Sequence, residues 1–253
     1  MTIRKTLQNN LETGRKALAV LIDPDKVQTP NELAPILRMA SECYVDFLFV
    51  GGSHLMQNNL SEVITEIKES TDTPVVLFPG STMQIDKNAD AILFLSLISG
   101  RNPELLIGQH VVAAPILKNS GLEIISTGYM LISGERNSSV AYMSNTAPIP
   151  PDKYSVAAST AMAGEMLGLN TIYMDAGSGA PEIIPTRMIS AVRKNISLPL
   201  IVGGGINTVE KARKVLDAGA DVIVVGNAFE KNPDLMIGVS ELIYSNNRTL
   251  DVH

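Results

Sequence analysis

The chain has 253 residues, 45% of them apolar and 18% charged, with a formal net charge of −6. That size and balance describe one large α/β domain or two small ones with ample core, and exclude a disordered chain. The acidic surplus argues against a general nucleic-acid binder, whose affinity for the phosphate backbone comes from clustered Lys and Arg.

The first twenty residues, "MTIRKTLQNNLETGRKALAV", contain no apolar core of signal-peptide length. The most apolar stretch, "ADAILFLSLISG", falls far short of the ~20 residues that span a bilayer, so no transmembrane segment is expected. The single cysteine, Cys43, excludes an internal disulfide framework and fits a reducing compartment; we expect a cytoplasmic protein with this thiol packed at a helix end.

Eight short apolar runs follow in order: 17–22, 46–50, 74–78, 91–95, 123–132, 171–175, 199–202 and 221–225. They do not alternate with polar residues, as expected of strands in a parallel sheet covered on both faces. Helical patterns at 31–42, 58–69, 103–118, 155–168, 182–195 and 232–245 separate or follow them. The clearest helix lies in "NTVEKARKVLDAGA", with Asn207 as cap, Glu210 at the third helical position, and Gly219 as its end. This alternation predicts a (β/α)8 TIM barrel, with a doubly wound open sheet as the rival fold. One place departs from it: "PGSTMQIDKNAD", between strands three and four, is too short for a helix. The third helix is therefore missing or replaced by a loop. No linker divides the chain, and we read residues 1–253 as one domain.

In a barrel, the loops after the strands build the site. Strand six runs into "DAGSGAP", strand seven into "VGGGIN" and strand eight into "VGNAFE". Glycine lets backbone N–H groups converge on an anion, and a helix N-terminus adds positive potential. Phosphates in barrels are often held after strands seven and eight. Gly177, Ser178 and Gly179 can close such a cup from the side of strand six, with Asp175 facing the body of the same ligand. A carboxylate there can accept a hydroxyl's hydrogen bond or its proton; a helix cap or buried ion pair is the structural alternative. At strand one, "LIDPDK" places Asp23, Asp25 and Lys26 together, and Ser53 follows strand two. Carboxylates without His or Cys partners suit Mg²⁺, although Asp-Pro-Asp is also a common turn. His54, His110 and His253 show no triad or zinc spacing and read as surface or satisfied residues. The eleven methionines read mostly as core filler.

Together "LIDPDK", "VGGS", "FPGS", "LFLSLISGRNPELLIGQH", "YMLI", "IPPDK", "YMDAGSGA", "VGGGI" and "VVGN" resemble, in order and over nearly the whole chain, the geranylgeranylglyceryl phosphate synthase family, with its heptaprenyl relatives. The missing third helix also resembles that family's modified barrel. The resemblance implies transfer of a C20 prenyl group from its diphosphate to the C3 hydroxyl of sn-glycerol 1-phosphate, with Mg²⁺. It puts Asp25 and Ser53 at the metal. The resemblance also puts Tyr173, Met174, Asp175, Ala176, Gly177, Ser178, Gly179, Gly204, Gly205, Gly226 and Asn227 around glycerol phosphate, with Asp175 and Tyr173 as catalytic candidates. "LISGRNP" lines part of the prenyl groove. Family members commonly carry Glu where this chain has Asp175, which withdraws the carboxylate by about one methylene. A homo-oligomer, dimer or hexamer, is also implied. The alternatives are a longer C35 donor, a phosphate-binding barrel isomerase or lyase, and a non-catalytic phosphate sensor or scaffold.

Overall fold

The computed structural model describes residues 2–27, 30–133, 139–226, 228–229, 232 and 234–250, the side chains of 30 and 31 excepted. Eight parallel strands close into a barrel in sequence order. They are β1 (Ala17–Ile22), β2 (Phe47–Val50), β3 (Val75–Leu77), β4 (Ala91–Leu97), β5 (Glu123–Leu131), β6 (Thr171–Asp175), β7 (Leu200–Gly203) and β8 (Val222–Val225). Each run is apolar on both faces because each strand feeds two cores. Ala19, Phe47, Phe49, Leu93, Ile125 and Ile201 fill the barrel interior. Leu18, Val20, Leu48, Val50 and Ile223 face the surrounding helices. Inside, small and large residues are matched: Ala19 on β1 is paired in register with Phe47 on β2.

The helices are α1 (Ile3–Thr13), α2 (Pro30–Glu42), α3 (Leu60–Ser70), α4 (Gln109–Lys118), α5 (Ser139–Ser144), α6 (Tyr154–Met166), α7 (Thr186–Arg193), α8 (Val209–Asp217) and α9 (Asp234–Leu250). No helix joins β3 to β4: residues 78–90 cross from one to the other as a loop, as the sequence predicts. One detail is corrected. The cap of α8 is Thr208, whose hydroxyl accepts from the Lys211 amide at 3.1 Å; this leaves Asn207 in the preceding loop and Glu210 at the second helical position.

Two features escaped the sequence reading. The first is α1, which places Ile3 and Leu7 among the interior residues. Glu123 caps it from a distance, accepting from the amides of Ile3 at 2.7 Å and Arg4 at 3.0 Å; a carboxylate there also meets the positive end of the helix dipole. The second is a ring of acids on the same end of the barrel. Asp46, Asp90 and Asp221 directly precede β2, β4 and β8, and accept from the amides of Leu18 at 2.8 Å, Val75 at 2.7 Å and Leu200 at 2.9 Å. Before β6 the position is Asn170, which accepts from the Ser126 hydroxyl at 2.7 Å. Asp221 also meets Arg193 at 2.9 Å and Lys16 at 3.3 Å. Each side chain supplies an acceptor to its odd-numbered neighbour where the ladder begins.

Burial pushes the Asp46 carboxyl up to about 6, against the lowering effects of the Leu18 amide, its own amide and Arg15. The folded state therefore holds this proton more tightly than the unfolded chain, and stability falls as pH rises from about 4 to about 6. The size of that loss is about 2–3 kcal/mol. Asp46→Asn keeps an acceptor for Leu18 but cannot ionise. Urea unfolding across this range is expected to show a flatter decline for the variant than for the parent; parallel curves would remove Asp46 as the source.

Candidate active site at the barrel mouth

A cavity of about 990 Å³ opens at the C-terminal ends of the strands. Its polar end is built by three rim loops: Gly177–Ala180 after β6, Gly204–Asn207 after β7, and Gly226 after β8. The chain can press these loops together only with glycine. A Cβ on Gly204, whose φ is +82°, would lie 2.8 Å from the Ala176 nitrogen and 2.9 Å from an Asp175 oxygen. The loop after β7 leads directly into α8, so the positive end of that helix lies beside the cup.

Asp175, at the tip of β6, lines the cavity and is buried. Its Oδ1 accepts from the Gly177 amide at 2.9 Å and its Oδ2 from the Tyr129 hydroxyl at 2.6 Å. Burial raises its pKa; the Tyr129 and Gly177 hydrogen bonds oppose that rise. Burial and the adjacent Asp175 charge push both Tyr129 and Tyr173 well above the usual phenol range, so both stay protonated. Phe78 stacks on Tyr173 with ring centroids 5.1 Å apart, and Tyr129 meets Tyr173 edge-on at 5.5 Å. The middle of the cavity is thus an aromatic box with one carboxylate.

Beyond the box the cavity turns apolar and runs over the outer side of β4. Ile92 and Phe94 face it there, opposite Ala113 and Leu117 of α4, with Ile85 from the crossing loop. This is the volume a third helix would occupy. His110 stands in the same wall, buried, with its Nε2 at 3.1 Å from the Ser96 hydroxyl and its ring edge-on to Phe94. Burial lowers its pKa, so it is neutral.

Asp23 and Ser53 occupy the rim after β1 and β2, and β1 pairs with β8, whose loop carries Gly226 of the cup. Asp23 lines the cavity; its Oδ1 accepts from the Asp25 amide at 3.2 Å, and burial raises its pKa. Asp25 is placed differently. Its carboxylate accepts from the amides of Met56 and Gln57 at 2.8–3.0 Å, clasping the loop that follows Ser53. Among the described residues no group of three His, Cys, Asp or Glu could cage a metal. Among the described residues, the lining carries three carboxylates, Asp23, Glu104 and Asp175, and no lysine or arginine.

The comparisons agree with this geometry. Residues 12–241 match the model of the PcrB family. The chain belongs to the PcrB family. It is 53% identical to the geranylgeranylglyceryl phosphate synthase of Chitinophaga pinensis over 92% of each chain. It is 52% identical to that of Spirosoma linguale, over 94% of this chain and 95% of the relative. The crystal structure of (S)-3-O-geranylgeranylglyceryl phosphate synthase from Thermoplasma acidophilum, in complex with sn-glycerol-1-phosphate, superposes with a TM-score of 0.90 at 34% identity, covering 96% and 98% of the two chains.

Of the residues singled out by sequence, the structure brings Asp23, Ser53, Tyr173, Asp175, Gly177, Ser178, Gly179, Gly204, Gly205 and Gly226 to one cavity. Met174 is corrected: strand alternation turns its side chain outward into the layer between barrel and helices. Ala176 likewise packs on that layer, its amide tied to the Gly203 carbonyl at 3.1 Å. From "LISGRNP" only Leu97 and Asn102 reach the lining, and Asn102 ties α5 over the mouth through the Ser144 carbonyl at 2.8 Å. Asn227 and His253 lie outside the described residues. Cys43 is buried, as expected. The methionines are not all core: Met56, Met83 and Met143 are exposed around the cavity mouth. Tyr129 was missed. Its signal is positional, since β5 pairs Tyr129 with Tyr173 and Leu131 with Asp175, so the tyrosine and the acid share the interior face.

Tyr129→Phe removes one of the two hydrogen bonds that hold the Asp175 pKa down. The Asp175 carboxyl is expected to titrate at higher pH in the variant, read from its carbon-13 resonance. The buried acceptor left unpaired is expected to cost about 1–3 kcal/mol in chemical unfolding. An unmoved titration midpoint would show that Tyr129 does not control this acid.

Proposed function

We propose that this protein transfers the geranylgeranyl group of geranylgeranyl diphosphate to the C3 hydroxyl of sn-glycerol 1-phosphate, releasing diphosphate. The observation that carries the reading is the continuity of one cavity. A glycine-built anion cup stands at one end, an apolar groove in the place of a helix lies at the other, and Asp175 sits between them. A small phosphate ester fits the first and a long prenyl tail fits the second.

The phosphate is held by backbone amides and the α8 dipole, since among the described residues no cationic side chain lines the cavity. This fixes the glycerol against the box, and orientation alone removes a large part of the barrier. The C3 oxygen attacks the allylic C1 as the bond from C1 to the diphosphate oxygen breaks; the hydroxyl proton passes to Asp175. A carboxylate whose pKa is raised by burial is a stronger base than one in water. The faces of Phe78, Tyr173 and Tyr129 stabilise the cationic character that develops at the allylic carbon. The apolar groove keeps water, the competing nucleophile, from that carbon.

A diphosphate entering a cavity whose described lining holds three carboxylates and no lysine or arginine calls for a cation with it. Asp23 and Ser53 offer hard oxygen donors at the rim, and Asp25 retains acceptor capacity beside them. Mg²⁺ accepts such a sparse set, completing its shell with water and substrate oxygens. Bound there, it would screen the leaving group's charge. Asp25 would then act both toward the metal and as the clasp of the loop after Ser53.

Two further properties belong to this reading. No helix among the described residues is long and apolar enough to cross a membrane; with Cys43 buried and unbridged, we place the enzyme in the cytoplasm. The outer sides of α4 and α6 expose Val111, Val112, Ile116, Val156 and Met166. An apolar surface of this kind marks a contact between proteins, and we assign it to a homo-oligomer, dimer or hexamer. Light scattering that returned a monomer mass at micromolar concentration would overturn that assignment.

The direct test is product formation from C15, C20 and C35 diphosphates with each glycerol phosphate enantiomer, with and without Mg²⁺. The C20 donor and sn-glycerol 1-phosphate are expected to be preferred, and activity is expected to need the metal. Asp175→Asn is expected to lower kcat by about 10²–10⁴-fold. Gly204→Ala is expected to raise the KM for glycerol phosphate by about tenfold or more, the worth of one hydrogen bond to a charged oxygen. Binding of both ligands without product would sink the assignment.

A further inference from the structure

The loop that replaces the third helix carries a buried glutamine, Gln84, which only the structure draws into the site. Its Oε1 accepts from the amides of Gly52 at 3.3 Å and Gly80 at 3.1 Å, and its Nε2 donates to the Gly52 carbonyl at 2.9 Å. The last backbone bond between the neighbouring strands runs from the Phe78 amide to the Val50 carbonyl at 2.8 Å. Past that point the sheet has ended, yet the two rims remain in contact. A Cβ on Gly80 would lie 2.3 Å from the Gly52 oxygen and 2.6 Å from the Ser53 oxygen. The side-chain amide of Gln84 is chemically a peptide group, and it offers both a donor and an acceptor to Gly52. It acts as one more rung, supplied from a loop, where the ladder has no residue to give.

We infer that Gln84 is a positioning residue for the donor half of the site. It holds the Gly52–Ser53 segment at the height where Ser53 and Asp23 face the cavity. The inference rests on the reading that this rim meets the metal and the diphosphate. The acceptor cup after β6, β7 and β8 is built without it, so the two substrates should respond differently to its loss.

The test uses the full-length enzyme and three variants. Gln84→Met keeps the volume and removes all three hydrogen bonds. Gln84→Asn keeps a polar amide, withdrawn by one methylene, and guards against a methionine variant that fails to fold. Ser53→Ala reports on the rim itself. In both Gln84 variants the KM for geranylgeranyl diphosphate and the Mg²⁺ half-saturation are expected to rise by about tenfold or more, as for other supporting shells of metal sites. The KM for glycerol phosphate is expected to change by about twofold at most, because that cup keeps its own backbone contacts. Hydrogen exchange at the amides of Gly52 and Gly80 is expected to quicken by about tenfold, a readout independent of turnover. Donor and acceptor KM rising together, or unchanged exchange at Gly52 and Gly80, would overturn the inference. A silent Ser53→Ala would sink the donor-side reading and the inference with it. An impaired Ser53→Ala beside silent Gln84 variants would sink the inference alone.

Discussion

Every strand of a closed barrel has an outer face that must be kept from water, and here one section of the barrel has no helix to do it. The outer faces of β3 and β4 carry Leu77, Ile92 and Phe94. Covering them from one side with α4 and from above with a loop leaves a groove rather than a packed layer. An apolar groove of that length is costly to leave in contact with water alone, and a flexible hydrocarbon chain is a natural occupant. The substrate class follows from what the fold omits.

The electrostatics of the mouth follow the same economy. A phosphate ester and a diphosphate would bring several negative charges to a cavity whose described lining already holds three carboxylates and no cationic side chain. In the proposed reaction the acceptor would be served by oriented backbone dipoles, which are fixed before the ligand arrives. In that reaction the donor would bring its own counter-ion. With no lysine or arginine beside Asp175 among the described residues, burial raises its affinity for a proton. The shorter arm of aspartate is also held at both oxygens, by Gly177 and Tyr129. It is a carboxylate of fixed direction, and a ligand must be brought to it.

The sequence made most of this legible where one residue type serves one local purpose. Strands buried on both faces read as unbroken apolar runs, glycine-rich rims read as turns that admit an anion, and the short span at 79–90 read as a missing helix. What stayed hidden depends on pairing across the chain. Tyr129 is an ordinary aromatic strand residue until β5 and β6 are aligned. Asp46, Asp90, Asn170 and Asp221 recur before alternate strands, but their purpose, accepting a hydrogen bond from the strand before (an amide for the three acids, the Ser126 hydroxyl for Asn170), appears only with the ladder in view. Of two acids two residues apart, only coordinates could say that Asp23 faces the cavity and that Asp25 holds a loop. Met56, Met83 and Met143 read as filler because composition carries no information about which side of a loop meets solvent. The weak apolar pattern of α1 hid it for a related reason: Ile3 and Leu7 need to plug only the narrow end of the barrel.

The two ends of the barrel divide the labour differently. At the floor, side-chain acceptors are matched one by one to strand amides, and Asp221 adds Lys16 and Arg193, so the polar groups are occupied. At the mouth, the acceptor cup is held by backbone pressed on backbone: Gly204 lies against Ala176, and Gly205 against the Glu182 carbonyl. Such contacts leave little room to move and none to substitute. The donor rim instead relies on side chains, Gln84 for Gly52 and Asp25 for the loop after Ser53. Side chains can be exchanged in evolution without rebuilding the backbone. The glycerol end should therefore be the invariant part of this architecture, and the end that receives the prenyl diphosphate the part that can be retuned.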